Sequence, residues 1–127
     1  MALIGNNPKQ TFAIAHAKKR ASDLTEEYFL ENRTKDESDA FRHFLWAALM
    51  AKNIAPDFSK AFTDSHESCV TANSEQEMDY VNNGKGIEAF RALSRERGKV
   101  TENDLVAEAL NQIEKGKLSI LKHKRLK

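Results

Sequence analysis

The chain has 127 residues, of which 40% are hydrophobic and 31% charged, and its formal net charge is +1. That balance fits one globular domain and excludes a disordered chain. No apolar run approaches the roughly 20 residues that span a bilayer, and the first residues lack the basic and apolar regions of a secretory leader, so the expected location is the cytoplasm, or an export route without a classical signal peptide.

Asn7-Pro8 suits the start of a first helix, because Asn caps well and Pro tolerates a position that needs no N–H. Ile14, Ala17, Ala21, Leu24 and Tyr28 then recur at steps of three and four, an apolar stripe on an amphipathic helix. Thr34-Lys35-Asp36-Glu37 matches a capping box with Thr34 as the cap. The helix it opens should run to about Asn53. From Ala40 to Ala51 nearly every residue is apolar except Arg42 and His43, which predicts a buried central helix.

Ala55-Pro56-Asp57 starts a third helix with Phe58, Ala61, Phe62, Ser65 and Cys69 as its inner face. Ser74-Glu75-Gln76-Glu77 is a second capping box, opening a short helix with Met78 and Val81. Asn82-Asn83-Gly84-Lys85-Gly86 then reads as a turn, since Asn and Gly tolerate positive φ. Ile87, Phe90 and Leu93 mark a further helix closed by Gly98, and Thr101 caps the last one. In that last helix Leu105, Val106, Ala109, Leu110 and Ile113 face inward, and Gly116 ends it. Leu118, Ile120 and Leu121 are expected to pack as a short extended segment.

The expected fold is therefore all-α, a single-domain bundle of about five helices over residues 1–121 with a basic tail at 122–127. Lys115 to Lys127 holds six basic residues and no acidic one, leaving a body of 14 basic against 19 acidic residues, a net −5. Such a tail suits an anionic surface or nucleic acid, or simply a solvated terminus.

Three polar clusters lie on these central helices. Asp39 and His43 are four residues apart, so they share a helix face, and a carboxylate beside an imidazole makes a general base or a held metal ligand. Arg42 adjoins them, and Trp46 follows three residues after His43. His66-Glu67 is the second cluster, without the second His that a zincin motif requires. The third is Asp79 with Asn82 and Asn83, three and four residues on. Cys69 is the only cysteine, so a metal site must use His, Asp and Glu. His43, His66 and Asp79 together suit zinc or another divalent ion with an open position for water. Glu67 or Asp39 would then serve as general base or hold a ligand in place.

Asp39-Ala40-Phe41-Arg42-His43-Phe44-Leu45-Trp46-Ala47-Ala48, then His66-Glu67, then Met78-Asp79-x-x-Asn82-Asn83-x-x-Gly86 resemble three elements of a bacterial helical family catalogued as a domain of unknown function. Asn6-Asn7-Pro8 and Gly116-x-Leu118 are similar to it as well, so the resemblance covers most of the chain. It implies a small effector or hydrolase of the kind attached to secreted bacterial proteins, and it names no reaction.

The expected function is hydrolysis in a polar cleft between the central helices. His43, His66, Glu67 and Asp79 would carry the chemistry, and Arg42, Trp46, Asn82 and Asn83 would contact substrate. The alternative is a non-catalytic adaptor or immunity-type module with a protein partner, in which the same residues form a buried polar network.

Overall fold

Two helix starts in this chain are set by a short acidic or hydroxyl side chain that satisfies the first free N–H groups. The structure, a computed structural model, describes residues 8–29, 36–68 and 74–120, with the side chains of 66–68 and 74–76 outside the description. Among these residues there are five helices and no strand: α1 (Pro8–Tyr28), α2 (Glu37–Asn53), α3 (Pro56–Ser68), α4 (Ser74–Arg97) and α5 (Glu102–Glu114). The all-α expectation is met. The tail at 122–127 and Cys69 lie outside the described residues.

The cap of α2 is Asp36. Its Oδ1 accepts from the Ser38 and Asp39 N–H groups at 3.0 and 3.3 Å and from the Ser38 hydroxyl at 2.6 Å. Thr34, the expected cap, lies outside the described residues, and Asp36 holds the position two residues later. Thr101 caps α5 as expected, in a reciprocal box with Asp104. Gly98 and Gly116, at φ of 81° and 71°, end α4 and α5 in the left-handed region open to glycine.

α2 is the central element. It packs against each of the other four helices, which is why its apolar residues can occupy nearly every side of it. Phe41, Phe44, Leu45 and Met50 are fully buried. From α1, Ala17, Ala21 and Leu24 face this core as the stripe predicts, whereas Tyr28 stays largely exposed with its ring beside Phe41. From α5 come Leu105, Val106 and Ala109, with Leu110 and Ile113 at the margin, and Leu118 and Ile120 close the base.

Two expectations are corrected. The inner face of α3 centres on Ser59 and Thr63, both buried, with Phe62 at the core margin and Ala61 exposed. Small hydroxyl residues let α3 sit close to α2 because each finds an internal acceptor: Ser59 donates to the Ala47 carbonyl at 2.8 Å, and Thr63 to that of Lys60 at 3.3 Å. The second correction is the turn expected at Asn82-Asn83-Gly84-Lys85-Gly86. α4 runs through it without interruption. Gly86 is a contact point instead: a Cβ there would lie 2.1 Å from the Phe44 carbonyl oxygen, so only glycine allows the α2 and α4 backbones to approach as they do. Asn82 is fully buried and does not cap a helix. Its amide donates to the Ser119 carbonyl at 3.0 Å and accepts from the Ser119 N–H at 2.9 Å, fastening the C-terminal segment to α4.

Arg20 ties α1 to the first turn of α5 by two bonds to Glu102, at 2.7 and 3.0 Å. The guanidinium bond holds the Glu102 carboxyl below its ordinary range, against the opposing effect of partial burial. A lowered folded-state value contributes stability above the ordinary glutamate range and loses it as pH falls through the folded value. The pair is half exposed and screened, so Glu102→Gln is expected to cost about 0.5–1 kcal/mol near neutral pH. In urea titrations that difference should vanish once the wild-type carboxyl is protonated. A cost that persists unchanged in acid would assign it to packing.

Candidate functional site

Asp39 occupies the first turn of α2, where the N-terminal end of the helix favours a negative charge. One turn later His43 projects from the same face, and Arg42 lies beside it. Asp79 arrives from α4. The His43 Nε2 is 3.3 Å from Asp79 Oδ1 and 3.6 Å from Asp39 Oδ1, and Arg42 Nη2 also bonds Asp39 Oδ1. Two helices distant in sequence thus bring one imidazole, two carboxylates and one guanidinium together. Asp39 is nearly buried, while His43 and Asp79 keep 15% and 21% of their side chains accessible, so the cluster lies under the surface but is open to small molecules.

The placement of Asp79 follows from the α4 sequence. Asp79, Asn82, Asn83 and Gly86 stand at i, i+3, i+4 and i+7, which is one helix face. Gly86 meets the α2 backbone, Asn82 is pinned to Ser119, Asn83 is buried, and Asp79 faces His43. The motif is thus a packing face with a carboxylate at its accessible end.

One donor atom each from Asp39, His43 and Asp79 lie within 4.8 Å of one another, a set that could hold a metal ion. Bonds of about 2.0–2.2 Å at a tetrahedral ion put ligand atoms about 3.3–3.6 Å apart, which is the spacing between Nε2 and each carboxylate. A single N–H cannot serve both carboxylates, whereas a cation can. Arg42 bonds the same Asp39 Oδ1 that faces His43, and a carboxylate oxygen has two acceptor directions, so one could meet an ion while the other keeps Arg42. Arg42 would then hold the ligand in orientation, as partners of metal-bound carboxylates do.

On one side of His43 lies an open pocket of about 380 Å³ lined by Lys18, Ser22, Arg42, His43 and Trp46. Trp46 is mostly buried, edge-on to both His43 and Phe62, so it forms a wall. Lys18 Nζ sits 6.0 Å from its ring centre. Lys18 and Ser22 had no signal of their own in the sequence beyond lying beside the α1 stripe.

Of the expected site residues, His43, Asp79, Asp39 and Arg42 are brought together, and Trp46 joins the pocket wall. Asn82 is placed elsewhere, its amide bonded at both ends to Ser119, and the buried Asn83 lies on the same packing face. His66 and Glu67 are in the last turn of α3, and their side chains lie outside the described residues. Among the described residues no helix is long and apolar enough to cross a membrane.

A family model described as "Domain of unknown function (DUF6973)" matches residues 1–117, a span that contains all three clusters. No curated protein and no solved structure matches the chain.

Proposed function

The chain belongs to the DUF6973 family, and we propose that it is a small metal-dependent hydrolase whose ion is held by Asp39, His43 and Asp79. The observation that carries this reading is the convergence of two carboxylate oxygens on one imidazole nitrogen, at 3.3 and 3.6 Å, beside an open pocket. Three ligands leave at least one position for water, whose pKa a divalent ion lowers toward neutrality. An ion held there would supply an activated water, and hydrolysis would join the water oxygen to the substrate, break the scissile bond and deliver the water proton to the leaving group. Arg42 fixes Asp39 and presents charge to the pocket, where negative charge develops. His66 and Glu67 enter from the sequence alone, as a fourth ligand or as the base that takes the proton.

A second reading rests on one observation. Arg42 with Asp39, and His43 with Asp79, also form two polar pairs, the second an ion pair when the imidazole is protonated, which would suit a non-catalytic module. Equilibrium dialysis against zinc separates the two. The hydrolase should retain one ion per chain, and Asp79→Asn should weaken retention by more than about 100-fold, since even partners of metal ligands cost 10–100-fold. Ester hydrolysis lost on chelation completes the test. A protein that retains no ion, or an Asp79→Asn variant that binds as well as wild type, would favour the module.

A further inference from the structure

The pocket beside the trio is one-sided in charge. Lys18 from α1 and Arg42 from α2 both line it, together with Ser22 and with no carboxylate among its described lining residues. His43 belongs to both the trio and the pocket, so a group bound in the pocket lies next to the ion position. With a divalent ion in place, Asp39 and Asp79 balance it. Lys18 then adds its charge to the cavity, and Arg42, still bonded to Asp39, lines it alongside. Lys18 is exposed and Arg42 keeps 26% of its side chain accessible, so an anion arriving from solvent can reach both. The Lys18 ammonium is a point charge, the Arg42 guanidinium a planar fork, and the ion a third centre. Three positive centres around one recess match the oxygens of a tetrahedral anion better than the two oxygens of a carboxylate. The volume, about 380 Å³, lies at the small end of ligand sites.

We propose, resting on the hydrolase reading, that the substrate is a phosphate ester whose phosphoryl oxygens are held by Lys18 and Arg42 next to the metal. The water oxygen forms the new bond to phosphorus, the bond from phosphorus to the ester oxygen breaks, and the water proton ends on the departing alcohol. Ser22 supplies a hydroxyl donor to the same group.

The test uses the whole chain loaded with manganese, with metal retention measured separately. Inorganic phosphate is the probe, followed by the paramagnetic broadening of its phosphorus resonance. Wild type should bind it, and Lys18→Ala should weaken binding about tenfold, the effect of losing one charge-assisted contact, with Lys18→Arg restoring most of it. Bis(p-nitrophenyl) phosphate should be cleaved with KM raised by a similar factor in Lys18→Ala and kcat nearly unchanged. A soluble glycerophosphodiester and phosphatidylglycerol vesicles distinguish a free ester from a lipid headgroup as the source, and turnover of either supports the proposal. Retained manganese with no phosphate binding, or with Lys18→Ala binding phosphate as wild type does, overturns the proposal and leaves the hydrolase reading standing. A larger acceleration over the uncatalysed rate for the neutral ester p-nitrophenyl acetate than for the phosphodiester does the same. No retained metal overturns both.

Discussion

Gly86→Ala is expected to destabilise the protein by about 1–3 kcal/mol, the range for overpacking a well-filled contact. Gly84→Ala, two positions earlier on the same helix, is expected to stabilise it by about 0.5–1 kcal/mol. Both changes replace a helical glycine and should gain about 1 kcal/mol in helix propensity. They differ in what the new methyl group meets. At Gly84 nothing lies within 4 Å, whereas at Gly86 the Cβ falls 2.1 Å from the Phe44 carbonyl oxygen and 3.0 Å from its carbon. That obstacle is backbone and cannot rotate aside, so α2 and α4 must separate. Phe44 follows His43 directly, and Asp79 shares the face of Gly86, so separation also widens the gap between His43 and Asp79. Thermal unfolding with and without zinc reads both effects: Gly86→Ala should lose stability and most of the zinc-induced rise in Tm. Equal behaviour of the two variants would contradict the close approach of the helices.

His43→Ala is expected to abolish hydrolysis and zinc binding while changing the stability of the metal-free protein by less than about 1 kcal/mol, because functional polar groups are seldom optimised for stability. Zinc at 100 times its Kd should stabilise wild type by about 2.7 kcal/mol and His43→Ala not at all. In a purely structural network the outcome is reversed. Removing the imidazole then strands its buried partners and costs about 1–3 kcal/mol whether or not zinc is present. Denaturant midpoints in chelator and in zinc separate the two cases.

Much of this architecture is legible in the residue order because local and tertiary preferences agree there. The Ala17, Ala21 and Leu24 stripe, the apolar α2, the Thr101 cap and the glycines at 98 and 116 each follow from one helix considered alone. The convergence of His43 with Asp79 is half legible. The i, i+4 spacing of Asp39 and His43 is local, and the approach of α4 is not.

Asn82-Asn83-Gly84-Lys85-Gly86 misleads because its turn chemistry is real but outweighed by packing. Asn82 bonds Ser119, 37 residues away, and Gly86 serves a neighbouring helix. The α3 face misleads for a related reason. Ser59 and Thr63 look polar, yet each donates to a main-chain carbonyl, so burying them strands no donor. Lys18 belongs to the pocket only through the packing of α1 on α2, which no spacing within α1 encodes.

The ion position itself is the central claim, and anomalous scattering at the zinc edge from zinc-loaded crystals tests it most directly. A peak within bonding distance of His43 Nε2 and of one oxygen from each of Asp39 and Asp79, at about 2.0–2.2 Å, is the result expected here. Zinc-loaded crystals with no peak between α2 and α4, and with Arg42–Asp39 and His43–Asp79 still paired, would contradict it.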